Sequence, residues 1–218
     1  PHLASSGSAR KRFSREGRAA AAVIDDHVLP IFGVDQWQGV PYIVSQYSSG
    51  TSLQKRIHEQ GPLELKEILR ISLQVARGLA AAHAQGLVHR DVKPSNILLD
   101  RTVERALLTD FGLARAVDDA TITRNGTIAG TPEYMAPEQR EGGTVDHRSD
   151  IYALGIMLYD LLTGAPPRGV WVDPSKKNRI DPRLDEIAGK ALQQLPEERY
   201  QAAADFGADI DAVARPGA

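Results

Sequence analysis

Between Leu63 and Gln85 the positions Leu65, Ile68, Leu69, Ser72, Val75, Ala76, Leu79, Ala80 and His83 return every three or four residues. That spacing predicts an amphipathic helix, bounded by Pro62 before it and Gly86 after it. Similar stripes predict helices at about Ser149–Leu162, Leu184–Leu195 and Ala202–Val213, and the charged run 11–23 is helix-prone. The β-branched and aromatic bias of 40–47 predicts a strand, and Ser52–Glu59 a short helix. Two apolar runs, "NILLD" and "ALLTD", joined by "RTVER", predict a hairpin with a long connection. Residues 111–137 are rich in Gly, Thr and Pro without a sustained period, which points to a functional loop rather than an idle connection. No fixed-period repeat or low-complexity tract interrupts this order.

Composition narrows the classes. The 218 residues are 42% hydrophobic and 25% charged, an ordinary globular mixture long enough to bury a core. With 26 basic and 28 acidic side chains the net charge is −2, which gives no electrostatic case for nucleic acid as the partner. Zero cysteines exclude disulfides, thiol nucleophiles and thiolate metal sites; a cytoplasmic setting is the expectation. The apolar stretch Ile151–Leu162 is too short to cross a bilayer and contains Asp160, so it reads as a buried helix. The sequence opens on Pro1-His2, from which we expect a piece of a longer product.

The stretch "VHRDVKPSNILLD", 88–100, places Asp91, Lys93 and Asn96 within six positions between apolar flanks. Read alone, Asp91 is a turn or helix cap and Asn96 an ordinary turn residue. Downstream, however, come "DFG" at 110–112 and "APE" at 136–138, in that order and separated by the hairpin and the Gly/Thr-rich loop. Taken together, the three motifs resemble the signature set of bacterial-type serine/threonine protein kinases, over nearly the whole chain.

The resemblance implies an α+β, two-lobed protein-kinase-like fold, with a partial β-containing N-lobe at 1–47, a mostly helical C-lobe at 48–213 and a tail at 214–218. It implies ATP and Mg2+ as cofactors and Ser/Thr hydroxyls of proteins as acceptors. Phosphoryl transfer asks mainly for positioning and charge neutralisation. Asp91 would orient the attacking hydroxyl, Lys93 would compensate charge on the γ-phosphate, and Asn96 and Asp110 would hold Mg2+. Thr131 would bond Asp91 and Lys93 and shape the acceptor site. His89 and Phe111 are assigned to the core. Arg90 would bind a phosphate on the loop, with Thr121 and Thr123 the first acceptors and Thr127 another. Each of these threonines also reads as a plain polar loop residue. Self-association for phosphorylation in trans would follow.

Other matches are implied in the same way. Ser45 would stand at the gate of the adenine site, with the Gln46 carbonyl and Ser48 N–H bonding the base and Leu98 packing beneath it. An edge strand and turn, with Leu98 in the core, reads the same. Glu16 would pair with the ATP-binding lysine, or be a solvated helix charge. Glu138 and Arg199 resemble a buried ion pair, and Asp150 an acid that accepts hydrogen bonds from the catalytic-loop backbone.

The pattern departs in two places. No Gly-x-Gly-x-x-Gly occurs before residue 40, and Lys11 lies too near Glu16 to serve as the strand lysine, so we expect truncation, with weak activity or none from the chain as it stands. The stretch "PRGVWVDPSKK" before "DPRLDEIAGKAL" is short, which trims the substrate-side helices. A scaffold with the same fold and no phosphoryl transfer is the alternative; intact Asp91, Asn96 and Asp110 argue against it. A small-molecule kinase is disfavoured by "GTPEYMAPE".

Overall fold

The computed structural model describes residues 7–100, 104–111, 132–167 and 171–215, with only the backbone described for 7–10 and 12. The first unit is a helix, α1 (Gly7–Ala21), against a hairpin of β1 (Ile31–Trp37) and β2 (Val40–Ser45). The hairpin register pairs Val34 with Ile43 and Trp37 with Val40. Gln38 and Gly39 turn it with φ of 50° and 78°, the doubly positive geometry that matches strand twist. β1 was not anticipated, because its burial does not alternate and "IFGVDQW" has no period of two. Gly17 lets α1 approach: a Cβ there would lie 2.6 Å from Val34 Cγ2.

A second sheet is built around the anticipated hairpin, β4 (Ile97–Leu99) and β5 (Ala106–Leu108). It gains a third strand, β3 (Thr51–Ser52), antiparallel to β4; two residues are too few to show a period. Ser52 then caps α2 (Leu53–Gln60), its side chain accepting from Lys55 N at 3.2 Å. The first unit docks here. Val28 bridges Leu108, with Leu108 N donating to His27 O at 2.8 Å and Leu29 N to Leu108 O at 3.0 Å.

α3 (Leu65–Ala84) starts two residues later than the stripe suggests, because the Glu64 N–H is held by the Glu67 carboxylate at 3.0 Å. Its Gln74 grips the hairpin, donating to Glu104 O and accepting from Ala106 N, both at 2.7 Å. The remaining helices are α4 (Pro137–Glu141), α5 (His147–Thr163), α6 (Pro174–Asn178), α7 (Arg183–Ala191) and α8 (Ala203–Ala214). α3 packs on α8 and α5, and α5 on α7. α5 is buried on all sides from Ser149 to Tyr159, as a central core helix must be apolar all round.

α7 stops short of Leu195. Its following carbonyls, Gln193 O and Gln194 O, turn to accept the Arg199 guanidinium at 2.8 and 2.9 Å instead of continuing the helix. The short α6 fills part of the stretch between α5 and α7, where Trp171 stacks at 5.0 Å on Tyr159. No helix among the described residues is long and apolar enough to cross a membrane.

Candidate active site

Two residues past the end of α3 comes Gly86, whose φ of 71° turns the chain into the loop 88–96. Asp150, in the first turn of α5, organises that loop from below. Its Oδ1 accepts from Arg90 N at 2.7 Å, and its Oδ2 from His89 N at 2.8 Å and from His83 Nε2 at 2.8 Å. The carboxylate is 1% exposed, so these bonds replace its lost hydration. The part expected of Asp150 is seen directly; its third partner, His83, looked in the sequence like one more member of an apolar stripe.

His89 is fully buried and joins two segments. Asp91 N donates to its Nδ1 at 3.2 Å, which leaves Nε2 to carry the proton and donate to Thr109 O at 2.8 Å. Burial pulls its pKa below the ordinary 6.5, outweighing the opposing pull of Asp150, Thr109, Asp91 and Asp110. Phe111 is 3% exposed and lies 4.8 Å from the His89 ring. One neutral imidazole therefore spaces residue 91 from residue 109, and so brings the Asp91 and Asp110 positions to the same rim.

On that rim Lys93 Nζ lies 2.7 Å from Asp91 Oδ2. The turn Pro94–Asn96 folds Asn96 back, so that its Nδ2 donates to Asp91 O at 2.8 Å and to Asp91 Oδ2 at 2.9 Å. Thr109 holds the backbone of Asn96 twice, through N at 2.9 Å and Oγ1 at 3.1 Å, both to Asn96 O. Asp110 follows with φ of 56°, in the left-handed region that aspartate enters more readily than most residues other than glycine.

The arrangement fits a divalent cation with bound phosphates. Spending Asn96 Nδ2 on Asp91 directs the amide oxygen away from it, where only a long 3.4 Å bond from Ser95 Oγ reaches it. Asp110 is exposed and carries no ion pair among the described residues. Two hard oxygens are too few for an all-protein cage, and indeed no cluster of three acidic or imidazole ligands occurs among the described residues. Mg2+ is held in that way, by one or two protein oxygens with phosphates and water completing the shell.

The other anticipated residues sit on separate elements. Leu98 is half-buried between buried Ile97 and Leu99, so the pleat turns it to the opposite face of β4. Gln46 N donates to Pro30 O at 2.8 Å, and Ser48 Oγ accepts from Gly50 N at 3.1 Å; neither bonds the four rim side chains. Ser45 closes β2. Glu16, on α1, has the Arg15 guanidinium at 3.9 Å. Thr121, Thr123, Thr127 and Thr131 lie outside the described residues.

Behind the rim, Glu138 on α4 and Arg199 form the anticipated pair at 2.8 Å, joined by Ser149 Oγ at 2.6 Å. Burial pushes the Glu138 carboxyl up, but bonds from Arg199 and Ser149 outweigh it and hold it below the usual range. Tyr134 donates to Asp160 at 2.5 Å, and burial raises both groups. A groove of about 700 Å³, lined by Tyr152, Ile156, Trp171 and Leu192 among others, contains none of the four rim residues. Sequence reasoning missed Thr109 and Gln139. Gln139 sits three residues into a helix opened by Pro137, a capping position, but its second bond, to Arg90 O at 3.0 Å, has no local signal.

Residues 3–207 match the family model described as the protein kinase domain. The chain belongs to the protein kinase family. This kinase-family chain is 36% identical over 219 residues to the serine/threonine-protein kinase PknB of Mycobacterium leprae, covering 91% of this chain and 35% of that protein. It is 37% identical over 222 residues to PknD of Mycobacterium tuberculosis, covering 94% of this chain and 33% of that protein. The chain thus spans about a third of the length of these relatives, 35% and 33%. Among solved structures, the kinase domain of Mycobacterium tuberculosis PknI superposes with a TM-score of 0.79 at 29% identity, covering 97% of this chain and 82% of that one. A double mutant of the same domain gives 0.80 at 31% identity, covering 98% and 82%. The α+β, two-lobed kinase fold expected from the motifs is therefore the fold observed.

Proposed function

We propose that the chain carries the catalytic apparatus of a serine/threonine protein kinase, moving the γ-phosphate of Mg-ATP to Ser or Thr hydroxyls of proteins. The observation that carries this reading is the joint placement of Asp91, Lys93 and Asn96 by mutual hydrogen bonds, with Asp110 delivered to the same rim through His89 and Thr109. A scaffold without chemistry has no physical need for that convergence.

Bound Mg-ATP would supply the transferable phosphoryl group and the cation that neutralises it. Asp91 accepts and orients the acceptor hydroxyl; as its oxygen bonds to phosphorus, the bond to the ADP oxygen breaks and the proton passes to the carboxylate. Lys93, 2.7 Å from Asp91, offsets charge on the transferring phosphate. Asn96 and Asp110 present oxygens to Mg2+. Gln46, Ser48 and Leu98 line the adenine side, and Glu16 steadies the phosphate-binding lysine. Arg90 binds a phosphate carried by Thr121 or Thr123, and Thr131 supports Asp91, with activation by copies acting on each other in trans. A lobe boundary after residue 47 is part of this reading; it is supported by the change from α1 and β1–β2 to the sheet begun by β3.

The test is transfer of labelled γ-phosphate to the chain and to a generic basic protein, using the uninterrupted native reading frame. Asp91→Asn should abolish labelling while leaving the fold intact by circular dichroism. Labelling that survives this substitution rejects the mechanism.

A further inference from the structure

Arg90 is a strained residue at the centre of the loop: a non-glycine residue at φ of 68°. Such a conformation persists only where its surroundings over-determine it. The Arg90 N–H is taken by Asp150 at 2.7 Å, and the N–H of the next peptide, at Asp91, by His89 Nδ1 at 3.2 Å. The carbonyl of that same peptide is held by a residue from a different part of the chain: Gln139 Nε2, at 3.0 Å.

Gln139 has a second bond, accepting from Ala136 N through Oε1 at 3.0 Å. The two contacts fix the amide orientation, since a backbone N–H requires an oxygen and a backbone carbonyl requires an N–H. They also separate two duties. Closing the first turn of α4 needs only an oxygen, which a glutamate supplies equally well. Holding the Arg90 carbonyl needs the N–H, which a glutamate lacks.

We infer that Gln139 is a positioning residue for Asp91: it locks the peptide between Arg90 and Asp91 from the α4 side, so that the aim of the Asp91 carboxylate depends on where α4 sits. The inference rests on the kinase reading for its catalytic meaning, though not for its geometry. α4 is itself tied down by the Glu138 pair with Arg199, and Ser149, which bonds Glu138, immediately precedes Asp150. The two clamps on Arg90, one on its N–H and one on its carbonyl, therefore share a single base. Any displacement of α4 pulls on the catalytic carboxylate through one side-chain amide.

The decisive variant is Gln139→Glu in the full chain, with Gln139→Ala beside it. Gln139→Glu keeps the α4 cap, so its Tm should stay near wild type, while its kcat falls about tenfold or more, as small misplacements of reacting groups do. Its KM for ATP should stay within about twofold of wild type, because no nucleotide contact is lost. Gln139→Ala should show the same kcat loss and a lower Tm. Hydrogen exchange supplies a readout independent of transfer: amides of 88–92 should exchange faster in Gln139→Glu and those of α3 should not. Unchanged exchange at 88–92, or a Gln139→Glu kcat within about twofold of wild type, overturns the inference. If the wild-type protein expressed from its uninterrupted native reading frame transfers no phosphate, the kinase reading fails and the exchange comparison alone decides the clamp.

Discussion

Glu138 and Arg199, 61 positions apart, meet through two parallel hydrogen bonds of 2.8 Å each. The Arg199 side chain is 0% exposed and that of Glu138 12%, so neither charge has water to fall back on. Arg199 also donates to Gln193 O, Gln194 O and Arg148 O, at 2.8, 2.9 and 3.2 Å, and covers the Tyr152 ring at 4.8 Å. One guanidinium thus ties α4, the start of α5 and the end of α7 together.

Removing either partner leaves the other charge buried and unpaired, which costs about 3–5 kcal/mol. Arg199→Ala should be the worse of the two, because three backbone carbonyls lose their donor as well. Denaturant unfolding of the two variants measures this. Losses below about 1 kcal/mol in both would show that the pair is ornamental.

The helices were legible because each buries one continuous stripe, and a stripe is a local pattern. The site was legible to the extent that its groups are neighbours in sequence: Asp91, Lys93 and Asn96 meet within a single turn. Asp110 was placed by the hairpin, whose register carries it back to Asn96 through Thr109. What stayed hidden depends on contacts between distant segments. Nothing local in "PEQRE" says that Gln139 reaches Arg90, and nothing in "AAAHAQG" says that His83 bonds Asp150. β3 was missed for the same reason: Thr51 and Ser52 are a strand only because β4 lies beside them.

Acid should loosen the site through His89. In the unfolded chain this ring takes up a proton near pH 6.5, whereas in the fold burial holds it neutral to lower pH. Below 6.5 the unfolded state therefore binds more protons, and stability falls as pH drops toward the folded value. Protonation also converts Nδ1 from acceptor to donor, which opposes the Asp91 N–H. Glu138 adds a second loss further down: its folded pKa lies below 4.5, so its contribution is complete above that value and disappears as pH falls through the folded one. Tm measured between about pH 7.5 and 5.5 should decline, and ring 15N shifts at about pH 6 should show His89 neutral with its proton on Nε2. A charged His89 ring in the folded protein at that pH would contradict the hydrogen-bond assignment.

Two glycines make opposite predictions for the same substitution. A Cβ on Gly50 would lie 1.9 Å from Leu99 O and 2.8 Å from Leu99 C, both backbone atoms of the strand that pairs with β3. The chain can make room only by parting β3 from β4, which releases the Ser48 turn held by Gly50 N at 3.1 Å and moves Leu98. Gly50→Ala should therefore cost about 1–3 kcal/mol, as overpacking does, and weaken binding of an ATP analogue measured by calorimetry. Gly189 lies inside α7 with no atom within 4 Å of its would-be Cβ. There, alanine removes backbone freedom from the unfolded chain without a clash, so Gly189→Ala should raise stability by about 0.4–1 kcal/mol. If Gly50→Ala proved as harmless as Gly189→Ala, the close approach of residue 50 to β4 would be wrong, and with it the support given to the proposed adenine side of the site.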